Sequence, residues 1–253
     1  MKGNNMRMNY LLRVIQDEIS SEEFLRSVGI IKTFSDCSKC NSRNLGMIRR
    51  NRWKCYSCNS EWSRRKGSIL SHFRMKYSEF LLCMKFFEIE LTAELTAIQL
   101  SLDHKTVQLL FNEFRSLLVL ANNDKVNFDK QFYWDKDSIY LVEEKGRIFF
   151  TSSLNEEETS TMINKKIRCN YINFFQYHFE LAGSKSKDTF NISKSNSELY
   201  KFMRYAKRHL QNIRGITKKN FLLRLNEIVF RFNNREKDLF DTLAKELMKN
   251  NRG

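Results

Sequence analysis

Four cysteines stand in two pairs whose spacing is typical of metal ligands. Two residues separate Cys37 from Cys40, two residues separate Cys55 from Cys58, and fourteen residues lie between the pairs. Each pair offers two thiolates on one tight turn, so the two turns together can close a tetrahedral site. Four thiolates leave no open coordination position for a substrate. The spacing therefore predicts a structural Zn²⁺ that folds a small zinc ribbon, since about thirty residues bury too little apolar surface to fold alone.

The segment around the cysteines is also strongly basic. Residues 43–66 contain eight basic residues and one acid, Glu61, with Trp53, Tyr56 and Trp62 among them. Such a mixture is typical of a surface that contacts phosphates, although we expect the two tryptophans to pack the ribbon. The side chains from which DNA contacts are expected here are Arg49, Arg50, Arg52, Lys54, Arg64 and Arg65.

The charge of the whole chain points to the same partner. The 253 residues carry a net charge of +15, which favours a polyanion because neutralised phosphates release their counterions. No stretch approaches eighteen uncharged apolar residues, so we expect a soluble, intracellular protein that binds double-stranded DNA and no membrane. Its location would be the nucleus in a eukaryote and otherwise the cytoplasm or nucleoid. A homodimer or higher oligomer is compatible with the sequence.

A helix-turn-helix is predicted directly after the ribbon. Residues 94–118 show a short helical pattern, a turn near Leu102 to His104, and a longer helix with an apolar stripe. The second helix would present Lys105 near its start, where recognition helices contact DNA. The alternative is an ordinary helical hairpin. The basic ribbon immediately before it favours the DNA-binding interpretation.

The pattern changes from helix to strand after residue 122. Short β-branched and aromatic runs at 126–134, 138–142 and 147–152 predict an antiparallel meander with a turn at 144–146, and 167–175 is a candidate fourth strand. Helical periodicity returns after 196. There, a second basic group lies at spacings that gather it along one side of a helix, either for DNA contact or as a solvated face. Its members are Lys201, Arg204, Lys207 and Arg208.

These patterns together predict an α+β protein. We expect a helical lead over 1–34, a zinc ribbon over 35–68 and a helix-turn-helix segment over 69–123. Residues 124–253 would form a last domain of strands followed by C-terminal helices.

The order of these parts resembles the Merlin-type transposases and their bacterial insertion-sequence relatives. The most specific similarity is YAKRHLQNIRGITKKNFLLRLNEIVFRFNNRE at 205–236, and agreement extends with gaps from about residue 20 to 248. The resemblance implies that 124–253 is an RNase H-like α/β domain. In this family two Asp and one Glu hold two divalent ions, Mg²⁺ or Mn²⁺, for DNA cleavage and strand transfer.

The family's metal ligands match this chain only in part. The first Asp corresponds to Asp129, whereas the stretch expected to supply the second offers Asn170 or Asn173. Tyr200 stands at the position of the Glu, and the nearest carboxylate is Glu198. The resemblance thus implies a degenerate transposase that binds DNA with impaired strand transfer. An active transposase, completed by Glu198 or another acid, is one alternative, and a domesticated DNA-binding regulator or chromatin protein is another.

Overall fold

The protein has a mixed α+β fold that divides into two compact units. The computed structural model describes residues 8–122, 139–151, 166–169, 180–181, 198–210 and 218–250. The first unit comprises Met1–Leu117 and Lys237–Gly253, and the second comprises Leu118–Glu236. Within the described ranges, no helix is both long and apolar enough to cross a membrane.

The first unit begins with two short helices followed by a small sheet. Helices α1 (Met8–Val14) and α2 (Glu18–Ser27) form the predicted helical lead, and Gly29 follows with φ of 76°. The N-cap of α2 is Asp17, whose carboxylate accepts from the Ser20 N–H at 2.7 Å. Strands β1 (Leu45–Ile48), β2 (Arg52–Cys55) and β3 (Glu61–Ser63) then form an antiparallel sheet in sequence order.

Helices build the rest of the first unit. A 3₁₀ turn (Ile69–His72) leads into α3 (Tyr77–Glu88), α4 (Ala93–Leu100) and α5 (His104–Asn122). Helix α4 begins directly after Thr92, whose hydroxyl caps it by accepting from the Leu95 N–H at 3.2 Å. Edge-to-face aromatic pairs join α3 to α5, with ring centroids 5.1 Å apart for Phe87 and Phe111 and 5.9 Å for Phe80 and Phe114.

The described residues of the second unit include a sheet and two helices that pack together. Strands β4 (Ile139–Glu144), β5 (Arg147–Thr151), β6 (Lys166–Cys169) and β7 (Glu180–Leu181) lie in the order β5-β4-β6-β7 with antiparallel pairing. Helices α6 (Glu198–Leu210) and α7 (Lys218–Asn233) pack together through Phe202 and Phe232, whose centroids are 5.3 Å apart. The Asn233 amide bonds both the N–H and the C=O of Ile148, at 2.8 and 2.7 Å, and so fixes α7 to β5.

Two details of this unit bear on the strand predictions. The predicted hairpin turn is present, since Lys145 and Gly146 both have positive φ, as tight hairpin turns require. The predicted meander places residues 126–134 next to β4, on the side opposite to β5. In the structure, β6 pairs with β4 on that side. That first meander strand falls in 123–138, outside the described residues.

The last helix joins a different core from the one that the sequence suggested. Helix α8 (Leu239–Asn250) belongs to the first unit and packs against α3, whereas the sequence analysis placed 124–253 in one domain. Its apolar stripe, including Phe240, Leu243 and Leu247, is buried there. Periodicity identifies such a stripe but carries no information about which core it enters.

Candidate metal centre and basic surfaces

The four cysteine sulfurs converge as their spacing predicts. The Sγ atoms of Cys37, Cys40, Cys55 and Cys58 all lie within 4.8 Å of one another. Cys37 and Cys58 are 3.6 Å apart, as are Cys40 and Cys55. Sulfurs at a tetrahedral Zn–S distance of about 2.3 Å stand about 3.8 Å apart, so this donor set fits a zinc ion.

Each cysteine pair lies on the same kind of turn. Both pairs continue as Cys-x-x-Cys-Asn-Ser, and Asn41 and Asn59 adopt left-handed φ values of 55° and 58°. In each turn the N–H of the first cysteine donates to the carbonyl of the serine, at 2.9 Å for both Ser42 and Ser60. Asn tolerates this conformation better than most residues, so the repeated Asn is the physical reason that the two turns match. Because the sequence analysis used only the cysteine spacing, it missed this repeat.

The hydrogen bonds around the sulfurs favour a thiolate at Cys58, whereas those from Cys40 to the other three cysteines raise the pKa of Cys40 to about 12 despite the backbone of Ser42. Cys58 Sγ is hydrogen-bonded to Ser60 Oγ at 3.2 Å, and the hydrogen bonds with the side chain and backbone of Ser60 lower the pKa of Cys58 to about 6. A thiolate at neutral pH is the form that binds zinc. Cys37 and Cys55 are buried with Trp62, and Phe34 packs on the Trp62 ring at 5.6 Å. The tryptophans thus pack the ribbon, as expected.

Arginines crowd the turn that joins β1 to β2. Arg49, Arg50 and Arg52 are exposed, and we call these three residues the arginine tip. Arg52 is also within 3.7 Å of Glu61, in a pair whose side chains are 48% and 38% exposed. Such an exposed pair contributes about 0 to 1 kcal/mol and leaves Arg52 accessible to another anion. Lys54, further along β2, is half-buried.

Two of the arginines predicted to contact DNA also make contacts with neighbouring elements of the first unit. Arg64 pairs with Glu22 of α2 at 2.5 Å. The Arg65 guanidinium lies 4.5 Å from the centroid of the Tyr77 ring and donates to the Phe73 carbonyl at 3.2 Å. Both side chains are half-buried, so their charge serves internal contacts first. The sequence alone could not distinguish Arg64 and Arg65 from the arginine tip, because both groups occur as short runs of Arg.

Helix α2 connects the ribbon to the helical core through two carboxylates one turn apart. Glu22 accepts from Arg26 at 2.6 Å as well as from Arg64. Glu18 accepts from the N–H of Tyr77 at 2.8 Å and from the Ser78 hydroxyl, and so caps α3. Burial opposes ionisation of Glu18, but these hydrogen bonds outweigh it and keep its pKa below the ordinary value.

The predicted helix-turn-helix segment does contain two helices joined by a short turn. Ser101 has a left-handed φ of 53°, and Asp103 caps α5 by accepting from the Thr106 N–H at 2.8 Å. Lys105 is exposed at the start of α5, as predicted. The same outward stripe of α5 continues with Leu109, which is 52% exposed, and with the acid Glu113. The role of α5 in DNA binding therefore stays a prediction.

Helix α6 carries the second basic face. Its apolar side, with Leu199, Phe202, Met203, Ala206 and Leu210, is buried. At 100° per residue the four basic side chains span an arc of about 120° on the opposite side. All four are exposed, and they are Lys201, Arg204, Lys207 and Arg208. The predicted gathering of these charges on one side of the helix is thus observed.

The carboxylates expected at a catalytic centre do not form one in the described residues. Glu198 is engaged by cations, with Lys201 at 2.7 Å and Arg235 at 3.4 Å. The hydrogen bond from Lys201 is the main reason that the pKa of Glu198 lies below its ordinary value. Among the described side chains, the cysteine cluster is the one group of three or more Cys, His, Asp or Glu residues able to hold a metal. Asp129, Asn170 and Asn173 lie outside the described residues.

Comparisons with protein families, curated proteins and solved structures identify no relative of this chain. No family model matches the sequence, and neither a curated protein nor a solved structure matches it.

Proposed function

We propose that this protein binds duplex DNA through its zinc ribbon and α6, as a transposase-like protein with impaired strand transfer. The observation that carries the proposal is the arginine tip, which presents three cations within four residues on a ribbon that the four cysteines order. Arg and Lys side chains that contact phosphates give most of the affinity of such proteins. The net charge of +15 supports the same partner.

The basic face of α6 supplies a second set of phosphate contacts. A helix with a buried apolar side and an exposed basic side can lie against a phosphate backbone without exposing its core. Glu198 reduces the positive charge at one end of this face because it pairs with Lys201. Lys201 therefore contributes less to binding by α6 than the other three basic side chains do.

Impaired strand transfer follows from the state of the metal ligands. A two-metal centre needs several carboxylates that bridge and hold hard cations. Glu198 already neutralises Lys201 and Arg235, so metal binding there would have to displace two ion pairs. The family's remaining ligand position carries Asn170 or Asn173, and a neutral amide binds these cations less strongly.

The salt dependence of duplex binding tests the proposal. The experiment measures the affinity of the zinc-loaded chain for a 30-base-pair duplex by fluorescence anisotropy at several salt concentrations. Replacing Arg49, Arg50 and Arg52 by Ala removes up to three phosphate contacts and should reduce the slope of log K against log salt by about 2 to 3.

A matched variant separates local contact from general charge. Arg13, Lys237 and Lys245 are exposed in the same unit and away from the ribbon in sequence. Their replacement by Ala removes the same net charge, and the slope should change by less than about 1. Equal effects of the two triple variants would contradict a specific role for the arginine tip, and a parent affinity insensitive to salt would contradict DNA binding by charge.

A further inference from the structure

We propose that the arginine tip enters the minor groove of A·T-rich duplex DNA. This inference rests on the proposed function and specifies which groove and which base composition the ribbon prefers. It is carried by the backbone conformation of the tip, by the residues that flank it, and by the hydrogen-bonding chemistry of its side chains.

The backbone conformation of the turn at Arg50 is one that Gly or Asn adopts more readily than Arg. Arg50 and Asn51 both have left-handed φ values, 64° and 54°. Asn adopts this conformation readily, whereas Arg does so at a cost in stability, and Gly would do so at none. Strained residues of this kind concentrate where a side chain has a function. The conformation therefore indicates that Arg50 serves binding rather than the stability of the turn.

The flanks of the hairpin limit how deeply it can enter a groove. Glu61 lies opposite Lys54 and its carboxylate is within 3.7 Å of Arg52, so the acid accompanies that arginine, whereas Arg49 and Arg50 lie in the turn beyond it. Met47, on β1, is 46% exposed. Insertion of the strands themselves into the wide major groove would bring this carboxylate and this apolar side chain against phosphates. The tip alone, with its long arginine side chains, can enter the minor groove, which is about 6 Å wide.

The chemistry of the tip matches the floor of that groove at A·T pairs. A guanidinium has N–H donors and no acceptor. In the minor groove A·T pairs present acceptors alone, whereas G·C pairs add the donor N2 amino group of guanine. A·T tracts also narrow the groove and strengthen its negative potential, which attracts Arg side chains. The guanidinium groups of Arg49 and Arg50 therefore fit A·T-rich DNA better than G·C-rich DNA.

A set of three duplexes of equal length tests the groove and the base preference together. One is A·T-rich, one is G·C-rich, and in the third inosine replaces guanine, which removes the minor-groove amino group and leaves the major-groove hydrogen-bonding groups intact. The zinc-loaded full chain should bind the A·T and inosine duplexes alike and the G·C duplex at least about fivefold more weakly, which is the lower end of the usual effect of a disfavoured base pair.

Each other outcome has a definite meaning. Equal, salt-dependent affinity for all three duplexes would leave the proposed function standing and overturn this inference. An inosine duplex that binds as weakly as the G·C duplex would assign recognition to the major groove and also overturn it. Absence of binding to any of them would contradict the proposed function itself.

Substitutions in the turn assign the effect to Arg50. Arg50→Gly relieves the backbone strain and removes the guanidinium, so the ribbon should remain at least as stable while the A·T preference falls by about half or more. Asn51→Gly is the matched control, because it changes a neighbouring left-handed residue without changing charge, and the preference should persist. Retention of the full preference by Arg50→Gly would overturn the inference.

Discussion

The carboxylate of Glu22 connects α2 to Arg64, which directly follows the cysteine-bearing three-stranded sheet. Its side chain is 11% exposed and lies 2.6 Å from Arg26 and 2.5 Å from Arg64. The two arginine side chains are 19% and 23% exposed. Glu22→Ala would therefore leave two partly buried guanidinium groups without their carboxylate.

The expected loss of unfolding free energy in Glu22→Ala lies between the values for buried and for surface ion pairs. Removing one partner of a buried pair costs about 3 to 5 kcal/mol, whereas an exposed pair contributes about 0 to 1 kcal/mol. Because all three side chains of this cluster retain some exposure, we expect Glu22→Ala to lower the free energy of unfolding by about 2 to 3 kcal/mol. Arg64→Ala should cost less, about 1 to 2 kcal/mol, since Glu22 keeps Arg26.

Urea denaturation of the zinc-saturated protein measures these changes. A double-mutant cycle of Glu22→Ala and Arg64→Ala should give a coupling free energy of about 1 kcal/mol, as residues in direct contact do. Glu23→Ala is the matched control, because Glu23 is the adjacent and exposed acid of α2. If Glu22→Ala and Glu23→Ala change the free energy by the same amount, the role given to Glu22 is refuted.

Three further predictions concern the metal, the pH dependence and the chemistry. Elemental analysis should find one zinc per chain, and Cys55→Ser combined with Cys58→Ser should abolish it; an unchanged stoichiometry would refute the site. The lowered pKa of Glu18 means that its contribution to stability is present above its ordinary value of 4.5 and is lost as the pH falls through the lower folded value. Glu18→Gln should therefore flatten the acid side of the stability curve in pH titrations of urea unfolding, and a curve as steep as the parent's would contradict this. Cleavage assays with Mg²⁺ or Mn²⁺ should show little strand transfer; clear parental activity that is abolished by both Asp129→Ala and Glu198→Ala would refute impaired catalysis.

Local features of this fold could be predicted from the sequence because they depend on neighbouring residues. The cysteine cluster follows from two short spacings, and helices α1 and α2 lie within the predicted helical lead. The basic face of α6 follows from helical periodicity, which sets which side chains share a side. The hairpin turn at 145–146 follows from the need for positive φ.

Features that depend on distant partners could not be predicted in this way. Arg64 and Arg65 look like Arg49 and Arg50 in sequence, yet Glu22 and Tyr77 engage the first two. Helix α8 joins the first unit because its apolar stripe finds a place against α3, about 150 residues earlier in the chain.

We propose that the sheet bearing the four cysteines is ordered by zinc and presents the surface that binds DNA. It predicts that zinc and the arginine tip act on the same contact, so their effects on affinity should not add. The most direct measurement is duplex affinity at one fixed salt concentration for the parent and for the Arg49, Arg50 and Arg52 to Ala variant, each with zinc and after chelation.

Chelation should weaken binding by the parent at least as much as the triple substitution does, and it should have little further effect on the triple variant. A parent that binds equally well with and without zinc would contradict the claim. Strictly additive effects of chelation and substitution would also contradict it, because they would place the two on independent contacts.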